Sequence, residues 1–107
     1  MKLPENIAGL IKAQNESDST AFATYFTEHA TVSDEGSSYA GRAEIKGWIQ
    51  EATEKYAMQL TPLDFSQDNS KAILTVEISG TFPGSPAVMK YHLELDGTTI
   101  SRLLITD

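Results

Sequence analysis

The stretch from Asn15 to Trp48 changes hydrophobic period twice, and this constrains the fold more than any other feature of the chain. Phe22, Tyr25 and Phe26 recur at helical spacing after Ser17 or Asp18, either of which can cap a helix. His29 falls near the end of that pattern. From Ala30 the period becomes two, so that Ala30, Val32 and Asp34 share one strand face and Thr31, Ser33 and Glu35 the other. Gly36-Ser37-Ser38 ends the strand as a loop. The helical period then returns after Gly41, with Ile45, Trp48, Ile49, Ala52 and Tyr56 on one face.

Upstream, Pro4 and Glu5 suit a first helical turn, and Leu3, Ile7, Leu10 and Ile11 follow at helical spacing. Downstream, everything reads as sheet. Met58 to Phe65 is a strand that Pro62 marks as an edge or a bulge. Gln67 to Ser70 is turn chemistry. Ala72, Leu74, Val76 and Ile78 alternate with polar neighbours, as do Ala87, Met89, Tyr91, Leu93 and Leu95. Asp96-Gly97 predicts a tight hairpin, and Thr98 to Thr106 closes the sheet. The expected class is α+β, one domain over 1–107, with three helices covering one face of an antiparallel meander.

Composition narrows the function classes. A net charge of −7 argues against nucleic acid and against anionic membrane surfaces, since both need a basic patch. The absence of cysteine removes disulfides, thiolate catalysis and cysteine metal sites. No apolar run is long enough to span a bilayer, and MKLPENIAGLIK lacks the continuous apolar core of a secretion signal, so the cytoplasm is the expected compartment. The two histidines lack metal-ligand spacing, and neither a metal nor a cofactor is expected.

The chain resembles the nuclear transport factor 2-like superfamily, in particular its SnoaL-like branch related to polyketide cyclases and ketosteroid isomerases. The likeness is carried by Asn15-x-x-Asp18, the Phe22/Phe26 pair, His29-Ala30-Thr31-Val32-Ser33-Asp34, Gly41 ahead of Ile45 and Trp48, and Leu93-Glu94-Leu95-Asp96-Gly97 leading to Ile100. It implies a cone, with a curved antiparallel sheet wrapped around the helices, and a homodimer formed through the sheet. It also implies a pocket, for which Phe22, Phe26, Val32, Trp48 and Met89 are the candidate lining residues.

Within that resemblance, Asp34 takes the place of the general-base aspartate of the ketosteroid isomerases. The positions resembling that enzyme's two oxyanion donors are Leu10, which cannot donate, and Tyr91, which can. Steroid isomerisation is therefore disfavoured. Two readings remain open, because a fold of this kind hosts many functions. In one, Asp34 is the base and Tyr91 the donor in a lyase, cyclase or isomerase reaction on a small apolar substrate. In the other, the domain is a non-catalytic dimer that binds a small apolar ligand or another protein. For each candidate a structural role is the competing account: Asp34 solvated at the strand rim, Tyr91 as a core tyrosine, His92 and Arg42 on the surface, and Phe82 as a loop staple.

Overall fold

A computed structural model describes residues 2–107. Helix α1 (Glu5–Asn15) follows Pro4, whose missing N–H costs nothing at a helix start. Helix α2 (Ser19–Thr24) is capped by Asp18, whose side chain accepts from Ala21 N at 3.1 Å. Strands β1 (Phe26–Asp34) and β2 (Ser37–Ala40) form a hairpin that leads into α3 (Gly41–Tyr56). Strands β3 (Gln59–Asp68), β4 (Lys71–Ser79), β5 (Ala87–Asp96) and β6 (Thr99–Thr106) then run as a meander. All six strands form one curved sheet in the order β2-β1-β6-β5-β4-β3.

Three expectations are corrected. The helix around Phe22 stops at Thr24, and the strand begins at Phe26, so exposed His29 lies within β1 and not at a helix end. Tertiary pairing outweighs the local helical spacing, because Phe26 pairs with Ile100 of β6. The Gly/Ser segment is not a loop: Glu35-Gly36 is a two-residue turn and Ser37–Ala40 a strand. The sheet is mixed and not purely antiparallel, since β1 and β6 run parallel. The first strand is separated from the last by the whole chain, so no turn forces them to be antiparallel.

Helices cover the inner face of the sheet. Ala72, Leu74, Val76 and Ile78 of β4 point into it, as do Tyr91, Leu93 and Leu95 of β5. On β6 both Ile100 and Leu103 are buried although they are three residues apart. The register shift at Glu94/Leu95 explains this, because an extra residue in β6 resets the alternation. At the far edge, β3 carries its own register shift between Pro62 and Asp64, as the proline predicts.

Two contacts fix the end of α1. The Asn15 side chain donates to Leu60 O at 3.0 Å and accepts from Leu60 N at 2.7 Å. One amide thereby satisfies both backbone groups of a β3 residue. Gln14, the preceding residue, is held in register with the sheet by that clamp.

Candidate active site

Asp34 ends β1 and pairs with Ser37 across the turn. Glu35 and Gly36 both have positive φ, 51° and 78°. Such a pair suits the right-handed twist of a hairpin, but for Glu35 it carries a steric cost of about 1 kcal/mol. The turn leaves Asp34 half-buried on the same face as Val32, directed toward the space under α3.

That space is a cavity of ≈ 900 Å³, bounded by the end of α1, the β1–β2 hairpin, α3, the inner face of β4–β6 and the loop at Phe82–Gly84. Its walls mix polar and charged residues with an apolar group that is mostly aromatic: Tyr39, Trp48, Tyr56, Phe82, Met89 and Tyr91. Tyr39 stacks on Trp48 with centroids 5.7 Å apart, and Tyr56 meets Phe82 edge-on at 5.9 Å. A shallower groove of ≈ 590 Å³ lies elsewhere, between Pro4–Asn6 and Thr98–Thr99. The Asn6 amide there already donates to Thr98 O at 2.9 Å.

Burial holds the Asp34 carboxyl above the ordinary carboxylate range, and the neighbouring Glu35 charge adds to this. The nearby Trp48 side chain, whose indole N–H favours the charged carboxylate, acts in the opposite direction. Tyr91 is 1% exposed and donates its hydroxyl to Gln14 Oε1 at 3.1 Å. Burial pushes its ionisation well up; the Gln14 hydrogen bond opposes the shift, and the Asp34 charge reinforces it. Tyr91 therefore stays protonated, as a donor and not a base. That Tyr91 feels the Asp34 charge places the two groups within electrostatic reach of each other.

The structure brings Asp34, Tyr91, Trp48 and Met89 together around one cavity. The other three expected lining residues are elsewhere. Phe22, Phe26 and Val32 are 0% exposed and belong to the core behind Trp48. Phe22 lies 5.3 Å from Phe26 and 6.1 Å from Trp48, centroid to centroid, so the aromatic pair fills the joint between α2, β1 and α3. Leu10 is likewise core. Arg42 ties the start of α3 to Phe26 O at 2.9 Å, and His92 pairs with Thr106 Oγ1 at 2.9 Å. Among the described residues, no three His, Cys, Asp or Glu side chains gather as a metal site.

Of the lining residues that the sequence does not announce, Tyr39 and Gln14 are the two that bear on the site. Tyr39 was hidden because β2 was read as loop. Gln14 had a visible signal: it continues the α1 stripe Ile7, Leu10, Ile11 at the next helical step, a polar residue in a core position.

Comparison with known proteins places this geometry in context. The model of the SnoaL-like domain family matches residues 7–103. A Sinorhizobium meliloti protein provisionally described as a polyketide cyclase shares 31% identity and superposes with a TM-score of 0.92, covering 97% of this chain and 95% of that one. A hypothetical protein with a ketosteroid isomerase-like fold from Catenulispora acidiphila, solved with trimethylamine, superposes with a TM-score of 0.89 and 19% identity, over 99% and 87% of the two chains. The epoxide hydrolase/cyclase-like enzyme SalBIII, of pyran-ring formation in salinomycin, superposes at 0.75 with 20% identity, over 94% and 86%. A search of curated proteins finds no match. With the family model matched over most of its length, the chain belongs to the SnoaL-like domain family, on a nuclear transport factor 2-like fold.

Proposed function

We propose that this domain is a cofactor-free acid/base catalyst, a lyase, cyclase or isomerase, acting on a small apolar carbonyl compound. The observation that carries the reading is a half-buried carboxyl, Asp34, at the wall of a cavity that Tyr39, Trp48, Tyr56, Phe82 and Tyr91 also line. In the proposed step the ionised Asp34 takes a proton from the carbon beside the carbonyl. The bonding electrons of that C–H move toward oxygen, and a hydrogen-bond donor across the cavity meets the developing charge. Asp34 then returns the proton to carbon, or the carbanion-like centre attacks a second carbonyl within the same substrate, whose π electrons move to oxygen, and that oxygen takes the proton from Asp34. A base with a raised pKa suits this work, because its affinity for the proton is closer to what the transfer needs.

Two further observations support the class of substrate. The cavity carries Asp34, Glu35, Glu51 and Asp107 against Lys55, a balance that repels anionic ligands. The polyketide cyclase and epoxide hydrolase/cyclase-like descriptions of the structural neighbours are compatible with carbonyl and ring-forming chemistry. The test is hydrogen–deuterium exchange in D₂O at the carbon next to the carbonyl of small aryl ketones, followed by proton NMR. Wild type should accelerate exchange, and Asp34→Asn should lower that acceleration by about 10²–10⁴-fold. Equal exchange by the two proteins would remove Asp34 as base.

The second reading, a homodimer formed through the sheet, is favoured by the outer face. There Ile73 is 40%, Val88 51% and Leu104 39% exposed. Ile73 and Leu104 flank His92 on adjacent strands, so the outer face carries one row of two exposed apolar side chains with a histidine between them.

A further inference from the structure

Gln14 and Thr53 are the buried polar residues among those described, and of the two only Gln14 lines the cavity. The Thr53 hydroxyl is satisfied within its own helix, donating to Ile49 O at 2.8 Å. Gln14 is different. Its Oε1 accepts the Tyr91 hydroxyl, but its amide nitrogen has no partner in the protein. Yet no buried side-chain nitrogen or oxygen among the described residues is left unpaired. The small accessible part of Gln14, 2% of the residue, must therefore include that nitrogen, and the space it opens onto is the cavity. The reverse orientation of the amide would leave the buried Tyr91 proton without an acceptor, at a cost that one rotation of the amide avoids.

We infer that the Gln14 side-chain amide, held in place by Tyr91, is the hydrogen-bond donor that receives the carbonyl oxygen of the ligand. This rests on the reading of the cavity as a site for apolar carbonyl compounds, and it assigns the donor within it. Tyr91 is then a positioning residue. Its single proton is committed to Gln14 Oε1, which polarises the amide and fixes which end of it is left to donate. The Asn15 clamp onto Leu60 fixes the helix end from the other side. A donor on α1 and a carboxyl on β1 thus face one cavity from separate elements, as proton transfer beside a carbonyl requires.

The test uses a matched pair of ligands, acetophenone and α-methylstyrene, which differ in having an oxygen or a CH₂ at the same position. Trp48 is the chain's single tryptophan and lines the cavity, so its fluorescence reports occupancy. Wild type should bind the ketone about 2- to 10-fold tighter than the hydrocarbon. Gln14→Met, of similar shape without a donor, should abolish that preference while leaving hydrocarbon affinity little changed. Gln14→Asn, which keeps the amide but shortens its reach, should abolish it too and serves if the methionine variant does not fold. Tyr91→Phe should weaken the preference without erasing it. Ketone preference that survives in the Gln14 variants overturns the inference, and loss in Tyr91→Phe alone would make Tyr91 the donor. Quenching by neither ligand in wild type would remove the apolar-ligand reading itself, and this inference with it.

Discussion

Asp34 illustrates how one residue can link stability to chemistry. A carboxyl whose folded-state pKa lies above its unfolded value binds its proton more tightly in the folded protein. Asp34 therefore favours the fold at acid pH, and that contribution is lost as pH rises through its raised pKa. Asp34→Asn should accordingly have a higher Tm than wild type at pH 7, with the gain shrinking toward zero below the ordinary value of 3.8. Scanning calorimetry at the two pH values checks this; a lower Tm for the variant at pH 7 would mean that the carboxylate is well solvated or well paired. Glu35 contributes from a left-handed turn position that a glutamate adopts only at a cost. Removing its charge with Glu35→Gln should lower the Asp34 midpoint, read by carboxyl carbon NMR. The place of Asp34 at the cavity was legible in the sequence because it continues the alternation of Ala30 and Val32. Gln14 is hidden for the opposite reason: it extends the α1 stripe of Leu10 and Ile11 with a polar side chain, where apolarity no longer marks the buried face.

At the scale of elements, local pattern and tertiary pairing divide the work. Helices α1 and α3 and strands β4 and β5 follow their periodicity closely, since each has one face buried along its length. The α2–β1 boundary does not, because Phe22 and Phe26 fit either period and only the pairing with Ile100 decides between them. Strand β2 is short and polar, with no residue fully buried, so nothing in its composition distinguishes it from loop. The junctions that shape the cavity are correspondingly tight. A Cβ at Gly80 would lie 2.5 Å from Tyr56 O and 3.2 Å from the Phe82 ring. Gly80→Ala should therefore destabilise by about 1–3 kcal/mol and displace the Phe82 wall, measured by urea denaturation and by weaker aryl-ketone binding. Asn15→Ala strands both backbone groups of Leu60 and should cost about 1–3 kcal/mol, or roughly 4–8 °C of Tm per kcal/mol. A change under 0.5 kcal/mol in either variant, about the size of an ordinary surface substitution, would contradict these packing arguments.

Over the whole molecule, the two faces of the sheet serve different ends. The inner face is core at one end and cavity wall at the other, and the change occurs along β5, from fully buried Leu93 to partly buried Met89. The outer face carries the Ile73–His92–Leu104 row, whose apolar ends we propose as the dimer contact. Leu104→Glu should lower the mass seen by light scattering from dimer to monomer, and a monomeric wild type would remove that proposal. No helix among the described residues is long and apolar enough to cross a membrane. What the fold assembles around Asp34, by contrast, is a cavity with the buried Gln14 amide and an aromatic group of side chains, drawn from α1, the β1–β2 hairpin, α3 and β4–β6. The measurement that tests this most directly is the pD profile of ketone hydrogen–deuterium exchange by wild type and Asp34→Asn. The wild-type rate should rise with a midpoint above the ordinary carboxylate range and reach a plateau, with the rise abolished in the variant. A profile shared by both proteins would contradict it.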